Sequence, residues 1–354
     1  MTTSALDYRK REVLEAIIEC YNQTAAPVGS RTIERLYGMG ISAATIRNTM
    51  ADLEELGYVT QPHPSAGRVP TEIGYRVYVD TLMEAEELSN KEKLLIQERC
   101  ASLEGSYEGI IEQTSKILSE ISHYIGFVLT PELHDSILRR LELIPIDGDK
   151  DNSAHRGRVL AVLLMASGVV KNHIVSVSKD LADKDIRGIN RILNEKLVGL
   201  SLRRIQQISH DTADLRAIFD TDLSDSIVAF TRDTFSLNQE IHVHLDGASN
   251  FFSQPEFLEV DKMEPLFRLL EQKDRIAGLL SPQQPTSGIQ VVIGSENKYE
   301  GMEMCSVVYS CYTSHGDVLG TIGVIGPTRM PYSRVVSIVD FTAQAMSQVF
   351  EHTL

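Results

Sequence analysis

No stretch of this sequence is apolar for long enough to cross a bilayer. The longest apolar runs, such as Val159–Ala166, fall far short of the roughly 20 residues a spanning helix needs. No apolar signal core follows the basic residues of the opening MTTSALDYRKREVLE, so a cytoplasmic location is the default. Cysteine is scarce as well. Cys20, Cys100, Cys305 and Cys311 are scattered without a Cys-x-x-Cys pair, which argues against a disulfide scaffold or a zinc ribbon and reads as reduced, half-buried thiols. No Gly-x-Ser-x-Gly elbow offers a nucleophile, and paired carboxylates such as those in Glu84–Glu87 are explained by a solvated helix face. Nothing poises a catalytic group, and the expectation is a non-enzyme without a cofactor or metal.

What is present is ordinary globular material, 42% hydrophobic and 23% charged, and 354 residues favour two or three domains. The net charge of −15 is an objection to any nucleic-acid reading. It is unevenly placed, however. Through Arg76 there are eight basic against nine acidic residues, so nearly all the excess lies beyond that point. Affinity for DNA comes from local Lys and Arg on phosphates, not from the whole-chain sum. The charge therefore neither excludes DNA nor argues for it.

The first eighty residues carry the clearest pattern. Leu14, Ile17, Ile18 and Tyr21 form the stripe of an amphipathic helix from Asp7 to about Asn22. Pro27 and Gly29 break it, and Ser30 is expected to cap a second short helix ending near Tyr37. Gly38 and Gly40 make a tight turn, Ser42 caps a third helix, SAATIRNTMADLEEL, and Gly57 stops it. On this third helix Ile46, Thr49, Met50 and Leu53 share one face, while Ala44, Thr45, Arg47 and Asn48 point the other way. That division suits a recognition helix: small residues let it sink into a major groove, Arg pairs with guanine O6/N7 and Asn with adenine N6/N7. In YVTQPHPSAGRVPT, Tyr58–Gln61 and Arg68–Thr71 read as two short strands around a turn-rich tip, the form of a wing. Arg68, beside a flexible Gly67, is expected to touch phosphate or enter the minor groove, with His63 and Ser65 donating to phosphate. Three helices and a hairpin also occur in protein–protein modules, so spacing alone leaves that alternative open.

The run SAATIRNTMADLEELGYVTQPHPSAGRVPTEIGYRVYVD (Ser42 to Asp80) resembles the signature of the HrcA family of heat-inducible transcription repressors. LDGASNFFSQPEF (Leu245–Phe257) and IGPTRMPYSRVV (Ile325–Val336) resemble the same family, so the likeness runs nearly end to end. The resemblance implies a homodimer that represses chaperone operons of the groE/dnaK type by binding double-stranded DNA at an inverted-repeat operator. It implies loss of activity on heating, and a GroE chaperonin that keeps the protein folded. It also implies a winged helix followed by a GAF-like domain interrupted by an inserted dimerisation domain. No catalytic residue is implied.

The rest of the chain is read against that architecture. MEAEELSNKEKLLIQERC begins a charged helical stretch that links the wing domain to the body, with interruptions, as far as about Ile121. IGFVL, ILRRLELIPI, RVLAVLLM and VVKNHIVSVS are strand-like, with DGDKDNSAHRG as a polar loop between the second and third. Residues 180–280 read as mostly helical, with Ile186, Ile189, Ile192 and Leu193 on one stripe. Strand texture returns in IQVVIG, CSVVYSCYT and GTIGVIG before a closing helix, SRVVSIVDFTAQAMSQVFEHTL. The predicted fold is therefore α+β. A winged helix-turn-helix occupies residues 1–82 and a helical linker 83–122. A GAF-like α/β domain covers 123–200 and 281–354, and an inserted, mainly helical dimerisation domain covers 201–280.

Three further features compete for a chemical role. His242, His244 and Asp246 alternate along a strand-like segment and would share one side, but no distant carboxylate or thiolate completes a metal set. Gly320, Gly323 and Gly326 in GTIGVIGP do not match Gly-x-Gly-x-x-Gly, and no Lys-Ser/Thr follows, so a strand packed closely against a helix is expected. Arg329 is expected to cap a carbonyl or pair with an acid. Two rival readings stay open on the residues alone: a regulator whose GAF-like body binds a small metabolite, and a metal-dependent enzyme built on the two histidines and Asp246.

Overall fold

Asp7 starts the first helix, its carboxylate accepting the Lys10 N–H at 2.9 Å. In a computed structural model that describes residues 6–101, 107–130, 136–146, 158–176, 183–210, 224–235, 243–257, 260–280, 288–314 and 317–353, this is α1 (Tyr8–Thr24). It is followed by α2 (Ser30–Tyr37) and α3 (Ala43–Glu55). The N-cap of α2 is Gly29, not Ser30: the Gly29 carbonyl accepts from Thr32 at 3.0 Å, while Ser30 is the first helical residue and is buried. Ser42 caps α3 as expected, accepting from Thr45 at 3.3 Å. Beyond Leu56, Gly57 takes the left-handed φ of +79° that ends the helix. Leu14, Ile17 and Ile18 of α1, Ile33 of α2 and Ile46 and Leu53 of α3 are all 0% exposed. Each such side chain contributes about 1.5–3 kcal/mol of burial, which is what holds three short helices together. A two-stranded hairpin follows, β1 (Val59–Thr60) antiparallel to β2 (Val69–Pro70). α4 (Glu72–Val77) then runs into a π-helical turn at Tyr78–Leu82.

The expected linker divides in two. Residues 83–89 are not helical, and they are held by the Glu86 N–H on the Ser333 carbonyl at 3.0 Å. α5 (Asn90–Ala101) and α6 (Tyr107–Ser122) are helices, and α6 is a layer of the body: it packs on β3 (Ile125–Leu129) with Ile110, Ile111 and Leu118 buried. After β3 come β4 (Leu138–Pro145), β5 (Arg158–Met165) and β6 (Val170–Ser176). They are followed by α7 (Asp183–Leu197), α8 (Leu202–His210) and α9 (Ser224–Phe235). The chain goes on as β7 (Val243–Asp246), 3-10 turns at Ala248–Ser253 and Pro255–Phe257, α10 (Val260–Glu271) and α11 (Lys273–Leu280). It closes with β8 (Gln290–Ile293), β9 (Cys305–Ser314), β10 (Asp317–Pro327) and α12 (Tyr332–Thr353). The polar loop at 147–157 lies outside the described residues.

The strands sort into two larger sheets. One has five strands in the order β7-β3-β10-β9-β8, and the other is β4-β5-β6. The chain accordingly divides into two compact units. The first comprises Met1–Thr130, His242–Thr313 and Val318–Phe350; the second comprises Pro131–Ile241, Ser314–Asp317 and Glu351–Leu354. An interrupted architecture is present, but its boundaries differ from the expected 201–280, and among the described residues the second unit holds a three-stranded sheet beside its helices. β4, β5 and β6 hydrogen-bond to one another and not to β3, which removes 138–176 from the body. The helices over 260–280, expected in the insert, belong to the first unit. The interruption enters from β3 and returns through β7, and these two strands are antiparallel neighbours, with Leu129 opposite Val243.

Within the first unit, α12 lies on the sheet. The Phe350 ring stacks on Tyr312 of β9 at 5.7 Å, and Ser347 accepts from the Thr313 N–H at 2.9 Å. The α+β class stands, and an antiparallel sheet flanked by helices agrees with a GAF-like body.

Candidate nucleic-acid interface

The third helix presents two unlike faces. Ile46, Thr49, Met50 and Leu53 are buried against the first two helices. Ala44, Arg47 and Asn48 are exposed and Thr45 is half-buried, all within the first two turns, as the sequence pattern predicts. Two contacts fix how this helix leaves the turn. Ser42 caps it, and Glu34 of α2 accepts the Ala43 N–H at 2.8 Å, tying the start of α3 to the preceding helix. The last turn is acidic and already engaged: Asp52 meets Lys10 at 3.4 Å. The exposed surface clear of these pairs is thus the N-terminal half of α3, where the helix dipole also favours an anion.

The wing is stiffer than the sequence suggests. Gln61 donates its amide to the carbonyls of Pro64 and Ala66 at 3.0 and 2.9 Å, and the Ala66 N–H reaches the His63 carbonyl at 2.9 Å. His63 and Ser65 stand exposed at the tip. Gly67, expected to be a flexible neighbour for Arg68, is a close-approach site instead: a Cβ there would lie 2.3 Å from the Val28 carbonyl oxygen. That approach lets Val28 and Arg68 exchange backbone hydrogen bonds of 2.8 and 2.9 Å, locking the wing root to the α1–α2 connection.

Arg68 is engaged within the module. Its backbone is fixed at the root of the wing, opposite the end of α3, where Glu54 lies 2.7 Å from the guanidinium; the side chain is only 17% exposed. This pair ties the wing root to the end of α3. Neither Glu54 nor Gln61 was singled out from the sequence, because each acts on a partner whose proximity only the folded hairpin creates.

Behind this surface, the two downstream segments with family-like sequence come together. Asn250 of the first donates to Ser119 Oγ and to the Tyr124 carbonyl, both at 3.1 Å, and Phe251 and Phe257 pack ring to ring at 4.5 Å. Gln254 and Glu256, between them, receive Arg329 of the second segment: Nε donates to Glu256 Oε1 at 2.5 Å and Nη2 to Gln254 at 3.3 Å. Arg329 Nη1 donates to the carbonyl of Asn22 in the last turn of α1. The sequence expectation of a carbonyl cap or an acid partner for Arg329 holds on both counts. Asn22 in turn donates to the Met330 carbonyl at 2.9 Å and accepts from the Tyr75 hydroxyl at 2.8 Å. Burial raises the Tyr75 hydroxyl well above the usual tyrosine range, so it remains a donor.

The other candidates receive no such support. His244 and Asp246 alternate along β7, and His242 lies outside the described residues. Among the described residues no three His, Cys, Asp or Glu side chains gather as a metal site. Gly320, Gly323 and Gly326 lie along β10 and form no phosphate loop. At Gly323 a Cβ would lie 2.2 Å from the Val308 carbonyl and 2.8 Å from the Phe127 ring, so the close packing is against neighbouring strands rather than a helix. No helix among the described residues is long and apolar enough to cross a membrane.

Comparison with known proteins agrees with this geometry. Residues 5–83 match the family model of the winged helix-turn-helix DNA-binding domain of HrcA transcription repressors, and residues 108–336 match the HrcA C-terminal domain. Heat-inducible transcription repressors HrcA from Pelotomaculum thermopropionicum and Geobacter sulfurreducens are 38% and 36% identical to this chain. The matches cover 98% and 97% of it, and 97% and 98% of the relatives. A crystal structure of a hypothetical protein at 2.2 Å resolution shares the fold with a TM-score of 0.58 and 21% identity, covering 100% of both chains. These relatives are repressors and not enzymes. With the winged helix built as described and both family models matched, the chain belongs to the HrcA family of heat-inducible transcription repressors.

Proposed function

We propose that the protein is a cytoplasmic homodimer that represses chaperone operons of the groE/dnaK type by reading an inverted-repeat operator in double-stranded DNA. The observation that carries this reading is the division of α3 into a buried apolar face and an exposed face bearing Ala44, Arg47 and Asn48. Arg47 and Asn48 act as the base readers, Ala44 and Thr45 as the small residues that admit the helix to the groove, and His63 and Ser65 as phosphate contacts at the wing. Arg68, at the wing root, exchanges Glu54 for phosphate or the minor groove when DNA is bound.

Support for pairing comes from the second unit. Alternate residues of β5 (Val159, Ala161, Leu163, Met165) are buried, and α7 and α9 pack on the flanking strands β4 and β6. On the opposite side Ile144, Leu160 and Ile174 lie abreast across the three strands, with Ile144 49% and Ile174 44% exposed. An apolar sheet face of this kind suits an isologous contact with a second copy. Such a contact would present two α3 helices to two half-sites.

Support for heat inactivation and for dependence on a GroE chaperonin is topological. The five-stranded sheet closes only when β3 finds both β7 and β10, partners far away in the chain. Long-range pairing of this kind folds slowly and exposes apolar strands meanwhile. The test is a gel shift of the purified protein on upstream regions of the organism's own chaperone genes. It would be run before and after a heat pulse, with and without chaperonin. Selective retardation that heat abolishes and chaperonin restores is the expected outcome. Equal retardation of scrambled duplexes would remove the operator reading, and full recovery without chaperonin would remove the chaperonin's part.

A further inference from the structure

We infer that Arg329 is a positioning residue that sets the pose of the DNA-reading module on the body of the first unit, and with it the half-site spacing the assembled protein accepts. The inference rests on the paired operator reading above.

α3 packs on α1, so the orientation of the reading face follows that of α1. The C-terminal end of α1 is where the body takes hold. Last-turn carbonyls of a helix lack intrahelical partners and carry its negative end, so a cation there is favoured. Arg329 supplies that cation at Asn22, while its other nitrogens reach Glu256 and Gln254 on a separate segment. Its planar fork fixes direction as well as distance, which a lysine would not do. The side chains of Arg329 and Glu256 are only 12% and 18% exposed, so the pair is little screened by salt.

The same point is fastened again by Asn22 on Met330 and on Tyr75. The Tyr75 ring meets Tyr332 edge-on at 5.7 Å, and the Tyr332 hydroxyl is held by Ser306 of β9 at 2.7 Å. α1 is thereby linked through side chains to the central sheet.

A second attachment lies on α4. Arg76 pairs with Glu296 and donates to the Val291 carbonyl at 2.7 Å, and Glu72 accepts from the Ser295 N–H at 3.0 Å. That pair is more exposed, 29% and 40%. Two attachments fix an orientation, whereas one permits a pivot. Without the Arg329 contact the α1 attachment would rest on the Asn22–Met330 hydrogen bond and the Tyr75–Tyr332 ring contact alone, the module would be freer to turn about α4, and α3 would sweep an arc. A duplex completes a turn in about 10–10.5 base pairs, so a small rotation at each reader changes the spacing two readers fit.

The experiment uses the full chain. Duplexes selected from a random pool by the wild-type protein define a half-site and a preferred spacing. Affinities of the wild type, Arg329→Ala and Glu256→Gln are then measured at one salt concentration. The duplexes carry the half-sites at the selected spacing, displaced by up to about half a helical turn, or as a single copy. The wild type is expected to favour its selected spacing by roughly tenfold or more, the gain of two linked contacts. Arg329→Ala is expected to lose most of that preference while binding the single half-site within about twofold of wild type. Glu256→Gln, which keeps the shape and one acceptor, is expected to fall between them.

A spacing profile unchanged in Arg329→Ala overturns the inference. So does a single half-site affinity that falls as far as the paired one, since that marks damage to the module itself. If Arg329→Ala does not fold, Glu256→Gln and Gln254→Ala carry the same comparison. A wild type that selects a half-site without a spacing overturns the positioning role alone. A wild type that selects no sequence overturns the operator reading as well.

Discussion

The outer face of α3 and the Arg329 joint are built on opposite principles. Arg47 and Asn48 are exposed, and among the described residues they make no ion pair or side-chain hydrogen bond within the protein. Arg329 is nearly enclosed and satisfied on three sides by residues of two distant segments. Groups that read a partner must be left unsatisfied until the partner comes. Groups that aim them must be satisfied beforehand, because any slack at the joint is passed on to the readers. The contrast separates variants that alter stability from variants that alter reading. The largest effect belongs to the hidden side of α3: Ile46→Ala should cost about 2–5 kcal/mol through lost burial and the cavity left behind. Denaturant unfolding of the whole chain should then show an early transition for residues 6–82. If Ile46→Ala leaves unfolding unchanged, α3 is not held by its apolar face and the division of the helix fails.

Arg47→Ala and Asn48→Ala should do the reverse. Each should change unfolding by less than about 0.5 kcal/mol, as exposed surface substitutions do. Each should also lose about 1–3 kcal/mol of preference for the selected operator over a duplex altered at one base pair. Binding of unrelated DNA should hardly move. A uniform loss on all sequences would make Arg47 a phosphate contact instead.

Glu54→Gln tests the wing root, with a smaller effect. The Arg68–Glu54 pair is partly solvated, so its loss should cost no more than about 1 kcal/mol of stability. It should release Arg68 toward phosphate and remove a negative charge near DNA. General affinity should rise, and the salt slope should steepen by about one counterion. An unchanged slope would mean that Arg68 stays at the root even without its acid.

The sequence made the local elements legible and the partnerships much less so. The stripe of Leu14, Ile17 and Ile18, the cap at Ser42 and the stop at Gly57 are short-range signals, and all three lie where the spacing puts them. The β4, β5 and β6 segments were recognisable as strands from their β-branched texture. Nothing in that texture says which strand is a neighbour, and these three, read as part of the GAF-like domain, pair in a sheet of their own. The ion pair of Arg68 was hidden for a related reason: it depends on Glu54, and only the hairpin and the Val28 bridge bring the two together. Arg329 was read as a cap or an ion pair, yet its acid lies at Glu256 and its carbonyl at Asn22, distant points that no periodicity connects. The one sequence clue was that Arg329 and Glu256 both fall in segments with family-like sequence.

The smallest effect concerns a surface counterpart of the buried joint. Glu92 closes a capping box at the start of α5: its carboxylate accepts from Ser89 Oγ at 2.6 Å and the Ser89 N–H at 3.0 Å, and it also meets Arg334. The hydroxyl of Ser89 first, then its N–H and Arg334, hold the carboxyl down to about 2, below its ordinary value of 4.5. A carboxylate depressed in the folded state stabilises above its unfolded value and loses that contribution as pH falls through the interval toward the folded one. Protection of the first turn of α5 against amide exchange, corrected for intrinsic rates, should therefore weaken between about pH 4.5 and pH 2. Glu92→Gln should remove that dependence. Because the group is partly solvated, overall stability should hardly change, unlike Glu256→Gln at the enclosed joint. Ser89→Ala should raise the Glu92 titration more than Arg334→Ala does. If the order is reversed, the ion pair and not the helix cap fixes this carboxylate, and exposure alone does not separate the two arginine sites.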